Sequence, residues 1–176
     1  MKCFPGEYKR MDKGAENYQR YLAGDDEGLV EIIKDYQDGL ILFLNQYVNN
    51  MATAEELTED TFVRLFTKRP HFRPNASFKT WLYVIGRNLA ISHLRWQKRH
   101  GMVPIEERDQ NTKDRELLEQ KFLREESRIR IHKALEGISP EYGRILYLKY
   151  FEELTNEEIA YILKKTKRQE IGRAHV

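Results

Sequence analysis

The sequence lacks the residues and patterns that build disulfide-bonded, membrane-spanning and metal-binding proteins. Its single cysteine, Cys3, can form no internal disulfide and no thiolate metal site. No apolar run approaches the roughly 20 residues that a helix needs to cross a bilayer, and the N-terminus lacks the apolar core of a signal peptide. The histidines do not have the spacing of metal ligands. We therefore predict a cytoplasmic protein with no membrane insertion, metal or other cofactor.

The most informative absence is that of acidic residues over residues 71–100, in a chain of which 33% is charged. Acidic residues there would repel a polyanion. Basic side chains bind a polyanion, and aromatic side chains stack on flat rings. The two together therefore favour nucleic acid as the partner. The stretch interleaves Arg73, Lys79, Arg87, Arg95, Lys98 and Arg99 with Phe72, Phe78, Trp81, Tyr83 and Trp96.

The charge balance reverses in the preceding part of the chain. Between residues 25 and 62 the only basic residue is Lys34. The net charge of +2 therefore conceals an acidic segment followed by a basic one, which favours two different partners. A solvated helix face is the alternative explanation for about half of the acidic residues. Those residues are Asp25, Asp26, Glu27, Glu31, Asp35, Asp38, Glu55, Glu56, Glu59 and Asp60.

Hydrophobic periodicity predicts three long helices in the first hundred residues. Apolar residues at three-to-four spacing predict one helix over residues 27–48. Thr53 and Glu56 form a capping-box pattern, which predicts a second helix that opens at Ala54 and stops before Pro70. Ser77 is the expected cap of a third helix, which should extend to about Arg99.

The second half of the chain has a linker and then a shorter helical pattern. Residues 101–126 are polar and carry no sustained apolar stripe. Ser139 before Pro140 predicts a helix start, and Thr155 with Glu158 predicts a capping box. Another cap at Thr166 gives two short helices in helix-turn-helix order. The expected fold is all-α, with two small helical domains joined by a linker, the second of them a helix-turn-helix.

Three stretches in order resemble bacterial RNA polymerase sigma factors of the extracytoplasmic-function type: AEELTEDTFVRLF, FRPNASFKTWLYVIGRNLAISHLR and ISPEYGRILYLKYFEELTNEEIAYIL. The resemblance implies sigma region two over residues 21–100, a linker over 101–126 and sigma region four over 127–169. Residues 1–20 would form an N-terminal extension, whose order the sequence leaves open.

The resemblance also implies two binding surfaces in region two. The first would dock on a coiled coil of the largest polymerase subunit through Glu56, Leu57, Asp60 and Phe62, although Leu57 and Phe62 fit an ordinary core position equally well. The second would hold the separated minus-ten strand. Phe78 and Trp81 fit the core better, and Trp96 fits either role, as does Phe72. The predicted minus-ten residues are Phe72, Arg73, Asn75, Ser77, Lys79, Arg87, Asn88, Arg95, Lys98 and Arg99.

Region four would read the minus-thirty-five element through Thr155, Thr166, Lys167, Arg168 and Gln169. Two features depart from the family pattern. Lys164 stands where the family usually has glycine in a left-handed turn, and Glu170 and Arg173 stand where the recognition helix needs apolar residues. The closing EIGRAHV also looks like a translated sequencing adapter. We therefore expect residues 170–176 to be a non-native tail and region four to be incomplete.

The predicted function is that of a non-catalytic sigma factor, which binds core RNA polymerase and directs promoter recognition and strand opening. An anti-sigma factor is a further partner that the resemblance implies. A stand-alone helix-turn-helix regulator is the alternative, but it leaves the acidic and basic helices without a task. An enzyme is disfavoured because no histidine or glycine-rich loop accompanies the carboxylates. A helical scaffold would not explain the charge segregation.

Overall fold

The computed structural model describes residues 12–72, 76–101 and 138–164 of the chain. These residues are all-helical, as predicted. Residues 73–75, residues 102–137 and everything after Lys164 lie outside the described residues, so the predicted linker at 101–126 and the start of the predicted region four at 127–137 are not described apart from residue 101. The helices are α1 Lys13–Leu22, α2 Glu27–Val48, α3 Met51–Lys68, α4 Phe78–Arg99, α5 Pro140–Tyr150 and α6 Asn156–Leu163.

Helix α2 is the centre of the fold and has the bounds that its periodicity predicted. It packs against α1, α3, α4 and α5. Because neighbours cover it on several sides, its buried residues run continuously from Leu40 to Asn45 instead of following one stripe. Ile32 is fully buried as well.

Helix α1 was not predicted, and it divides the expected N-terminal extension. Asp12 caps α1 by accepting from the Ala15 backbone N–H at 2.9 Å, and its other carboxylate oxygen accepts from the Phe78 N–H at 2.8 Å. Tyr18 is fully buried against α4. Residues 13–20 are therefore part of the first domain, and the predicted boundary at residue 21 falls inside a helix.

Helix α3 begins three residues before the predicted position, because a different side chain caps it. Asn50 accepts from the Thr53 backbone N–H at 2.9 Å, so the helix starts at Met51 and Thr53 lies inside its first turn. Asn49, in a left-handed conformation with φ 48°, ends α2 immediately before this cap. The predicted end before Pro70 is confirmed, since Lys68 is the last helical residue.

An aromatic cluster joins α4 to the rest of the first domain. Phe78 is fully buried, and its ring centroid lies 5.6 Å from that of Tyr18, 5.8 Å from that of Phe72 and 5.5 Å from that of Trp81. The core role predicted for Phe78 and Trp81 is confirmed. Ser77 caps α4 as predicted, with its hydroxyl accepting from the Thr80 N–H at 3.2 Å.

Helices α5 and α6 follow the predicted local rules. Pro140 opens α5, and Thr155 and Glu158 form the complete capping box of α6. Lys164 has φ 53°, the left-handed conformation expected at that turn. What the sequence did not predict is that α6 packs on α4 and α5 packs on α2, so that both predicted domains contribute to one hydrophobic core.

Candidate nucleic-acid interface

The predicted minus-ten residues on α4 divide into an exposed and a covered group. In the C-terminal half of the helix, Arg95, Lys98 and Arg99 are exposed and line a shallow cleft together with Ser92. Their spacing of three and four residues places them on neighbouring turns of one side. This basic surface, Arg95, Lys98 and Arg99, can neutralise the phosphates of a nucleic-acid strand.

Trp96 adds an aromatic face beside the basic surface. It is 42% exposed. Its ring centroid lies 4.6 Å from that of His100 and 6.4 Å from that of His93, so the indole is held between two imidazoles. An exposed indole next to phosphate-binding side chains can stack on an unpaired base. The sequence left the role of Trp96 open, and its exposure favours the functional reading over the core reading.

The N-terminal half of α4 faces α5 and α6 instead of solvent. The Lys79 ammonium pairs with the Glu152 carboxylate at 2.6 Å, and the Ser77 hydroxyl donates to Glu158 at 2.9 Å. The Arg87 guanidinium donates to the Leu163 carbonyl at 3.4 Å. These three predicted DNA contacts are thus engaged within the protein in this conformation. Asn88 is half-buried.

The loop before α4 is tied to α1. The Tyr18 hydroxyl donates to the Pro70 carbonyl at 2.8 Å, and burial raises the pKa of Tyr18 to about 12. Phe72 is buried, with its ring centroid 5.2 Å from that of Trp81. It is therefore a core residue in this conformation, one of the two roles that the sequence left open, and its contact with the strand stays a prediction. Arg73 and Asn75 lie outside the described residues.

In the predicted polymerase-binding surface on α3, the charged residues are exposed and the apolar residues are buried. Glu56 and Asp60 are exposed. Leu57 and Phe62 are each only 5% exposed, because they face the core that α3 forms with its neighbours. They are therefore core residues in this conformation, one of the two roles that the sequence left open, and their contact with a partner stays a prediction. Val63, one turn beyond Asp60, is an apolar residue that is 52% exposed, and no pattern in the sequence indicated this.

In the second domain, only one predicted minus-thirty-five residue can be placed. The Thr155 hydroxyl caps α6 by accepting from the Glu158 N–H at 3.3 Å, so its role in the described structure is to stabilise the helix. Thr166, Lys167, Arg168 and Gln169 lie outside the described residues, as does the expected non-native tail at 170–176.

Across the described ranges, no group of three or more His, Cys, Asp or Glu side chains is arranged to hold a metal ion. None of the helices described is long and apolar enough to cross a membrane.

Comparison with known proteins identifies the protein family to which this chain is similar. The family model described as sigma-70 region 2 matches residues 32–100, the range that contains α3, α4 and most of α2. The RNA polymerase sigma-H factor of Pseudomonas aeruginosa is 28% identical over 154 residues, which cover 83% of this chain and 80% of that protein. This chain is a sigma-70 family sigma factor of the extracytoplasmic-function type.

Further relatives of this sigma factor span most of both chains. The extracytoplasmic-function sigma factor SigW of Bacillus subtilis is 27% identical over 148 residues, covering 80% of this chain and 79% of SigW. The sigma factor YlaC of the same organism is 27% identical over 140 residues, with 78% and 80% covered. The solved structure of CnrH in complex with the cytosolic domain of CnrY has a TM-score of 0.60 at 15% identity, covering 92% of this chain and 90% of CnrH, and it shows the same fold.

Proposed function

We propose that this sigma factor docks on core RNA polymerase through α3 and holds the separated promoter strand through α4. The observation that carries the proposal is the segregation of charge between two helices that pack against each other. The exposed acidic residues Glu56, Glu59 and Asp60 lie on the part of α3 that precedes its exposed basic residues Arg64 and Lys68, and the exposed basic residues of α4 lie on its C-terminal half. Opposite charges on adjoining helices suit two partners of opposite charge.

The docking surface that we propose on α3 consists of Glu56, Asp60 and Val63. Residues four and seven positions apart share one side of a helix, so the two carboxylates and the exposed valine form one continuous strip. A basic coiled coil would be steered by the carboxylates and would gain affinity by covering the apolar side chain. Leu57 and Phe62 support the strip from beneath by packing in the core.

The strand-binding surface that we propose on α4 combines the basic surface with Trp96. Releasing a base from the duplex costs a few kcal/mol, and stacking on an aromatic side chain returns about 1–3 kcal/mol. Phosphate contacts by Arg95, Lys98 and Arg99 would supply the rest. Arg73 and Asn75 stay predictions for contacts to a base in the loop before α4. None of these contacts requires a catalytic group, and we propose a purely binding, cytoplasmic role.

The test is binding of fluorescent single-stranded promoter DNA by the full chain mixed with bacterial core polymerase. Asp60→Lys should prevent binding to the polymerase, whereas Glu16→Lys, at an exposed site on α1, should not. The triple variant Arg95→Ala/Lys98→Ala/Arg99→Ala should still join the polymerase but should lose the strand. Alanine at Lys34 and Lys149, which are exposed on other helices, is the matched control.

The alternative of a stand-alone helix-turn-helix regulator predicts a different result. Such a protein would bind duplex DNA tightly without polymerase, and Asp60→Lys would have no effect. Tight duplex binding of that kind would overturn the docking proposal.

We also propose that an anti-sigma factor binds this chain. Support comes from the solved structure of CnrH, which is a complex with the cytosolic domain of another protein. A purified anti-sigma candidate should compete with core polymerase for this sigma factor in a binding assay. Simultaneous binding of both partners would contradict the proposal.

A further inference from the structure

Two arginines from distant parts of the chain lie near each other where α2, α4 and α5 come together. Arg87 belongs to α4 and Arg144 to α5, and both are half-buried. The ion pairs that the described residues form include neither of them. A guanidinium that is partly withdrawn from water without a carboxylate partner is unfavourable, because its charge has lost part of its hydration. Two such groups at one place point to an anion as their partner.

Tyr47 of α2 is close to both arginines. The Arg144 guanidinium lies over the Tyr47 ring, 4.4 Å from its centroid, and donates to the Gln46 carbonyl at 3.1 Å. Burial raises the pKa of Tyr47, and the positive charges of Arg144 and Arg87 oppose this rise. The two guanidinium groups therefore act on the same phenol, one from α4 and the other from α5.

The two guanidinium groups also act on each other. Burial lowers the pKa of Arg144, the Tyr47 phenol opposes this change, and the charge of Arg87 adds to it. Both arginines nevertheless stay charged at neutral pH, because a guanidinium does not lose its proton in proteins. Like charges in a partly dehydrated site repel each other more strongly than they do in water. An anion bound to both would offset this repulsion.

Most of the N–H groups of the two arginines are available to a ligand, since each guanidinium has five of them. Arg87 donates from Nη2 to the Leu163 carbonyl at 3.4 Å, and its Nε is buried without a hydrogen-bond partner among the described residues. Arg144 donates from Nη1 to the Gln46 carbonyl. Carbonyl oxygens carry only partial charge, so these two bonds orient the arginines without neutralising them.

The chemistry of this group favours a small phosphate-type anion. Planar guanidinium forks match the oxygens of a phosphate, and a phenol hydroxyl offers one more donor. Both arginines are half-buried between helices, so a small anion reaches them more easily than the continuous backbone of a nucleic acid. We propose that Arg87, Arg144 and Tyr47 form a binding site for inorganic phosphate or a small phosphate ester. We call it the two-arginine site, and it does not depend on the proposed strand-binding surface at the other end of α4.

The test is the melting temperature of the full chain without polymerase or DNA. A ligand that binds only the folded chain raises the melting temperature, and the rise follows saturation of the site. In about 10 mM sodium phosphate we expect a rise of about 3–6 °C over sodium chloride of equal ionic strength. Calorimetric titration of the same chain should give a single phosphate site.

Arginine variants separate this site from a general effect of salt. Arg144→Gln should abolish the rise, and Arg144→Lys should bind phosphate more weakly, because lysine keeps the charge but not the planar fork. Arg64→Gln, at an exposed arginine on α3, is the matched control and should respond like the wild type. Phosphate also stabilises proteins by exclusion from their surface, which acts on every variant alike. An equal rise in the wild type and in Arg144→Gln therefore overturns the proposal.

A second variant tests the site without removing a guanidinium. The Gln46 side chain lies beside α5, with its Oε1 3.3 Å from the position that a Cβ atom on Gly143 would take. Gln46→Glu should therefore bring a permanent carboxylate close to Arg144. We expect this variant to melt no lower than the wild type in chloride and to lose about half or more of the response to phosphate, because its own carboxylate offsets the repulsion. A full response in this variant would contradict the site.

Two further ligands identify the source of the phosphate group. Adenosine monophosphate tests a small phosphate ester, and a mixed-sequence single-stranded oligonucleotide at the same phosphate concentration tests a nucleic-acid backbone. A rise with phosphate or adenosine monophosphate that Arg144→Gln removes supports the two-arginine site. A rise with the oligonucleotide alone, or with none of the three ligands, overturns it.

Discussion

The interior of the first domain and the contact of α5 and α6 with α2 and α4, called here the closed interface, are built from different chemistry. The first is dominated by aromatic rings, with Phe78 at its centre and Tyr18, Phe72 and Trp81 around it. The second combines apolar contacts with buried charge, in which Glu152 is paired with a lysine from the other domain. An apolar interior separates only at the cost of exposing its surface to water. A paired carboxylate and ammonium can instead be rehydrated, or can exchange partners for a phosphate.

This difference indicates which part of the molecule is permanent and which part can open. The aromatic interior fixes α4 relative to α1 and α2, and hence fixes the position of the basic surface. The closed interface covers only the N-terminal half of α4 and uses side chains that are themselves predicted to bind DNA. Changes in the two regions should therefore differ in size and in kind.

The largest effect is expected in the aromatic interior. Phe78→Ala should lower the free energy of unfolding by about 3–5 kcal/mol, because it removes a fully buried ring and leaves a cavity. Urea denaturation measures this change. Val63→Ala, at a position that is 52% exposed, should alter stability by less than about 0.5 kcal/mol. Similar losses in the two variants would mean that α4 is not held by the aromatic cluster.

A smaller effect is expected at the closed interface. Tyr147→Phe removes the hydroxyl that donates to Glu152 and to the Gly39 carbonyl, and it leaves the ring in place. The loss should be about 1–3 kcal/mol in the same denaturation experiment, since a buried charged group loses one donor. Tyr150→Phe, at a residue that is 70% exposed, is the matched control and should be neutral. A neutral Tyr147→Phe would contradict the assigned hydrogen bonds.

The charge on Glu158 should make part of the stability depend on pH. Burial raises the pKa of this carboxyl, but the hydrogen bonds from Thr155, Ser77 and Thr80 together lower it in the folded structure. Its stabilisation is present above the unfolded value of 4.5 and is lost as the pH falls through the lowered folded pKa. The melting temperature of Glu158→Gln should therefore lie below that of the wild type at neutral pH, and the gap should narrow as the pH falls below 4.5. Glu153→Gln should show no such gap. A gap that widens on acidification would contradict the assigned hydrogen bonds.

Helix positions and caps with a local signature could be predicted from sequence. Ser77 and Thr155 were found because a cap and its partner amide are three residues apart, and α2 was found from its periodicity. The same local reasoning placed the α3 cap at Thr53, because it gave no weight to Asn50. The short α1 was missed because its apolar contribution comes from two tyrosines among polar residues.

The sequence could not predict which of the DNA contacts proposed on α4 are exposed and which are covered, because this depends on contacts between distant parts of the chain. The hydrogen bond from Ser77 to Glu158 joins residues 81 positions apart, and no local pattern marks either residue as an interdomain contact. Burial of Leu57 and Phe62 was an even choice from sequence, since an apolar residue on an amphipathic helix can face either the core or a partner. The charge pattern predicted the two surfaces but could not show which of their residues are exposed.

The smallest and most specific effect is expected at the exposed end of α4. Lys98→Ala should weaken binding of the single strand in the presence of polymerase, and it should reduce the slope of log affinity against log salt concentration by about 0.7, the value for one phosphate contact on a single strand. Lys149→Ala, at an exposed lysine of α5, should leave the slope unchanged. A Lys98→Ala variant with the same salt slope as the wild type would mean that Lys98 makes no phosphate contact, and that the strand-binding surface on α4 is smaller than we propose.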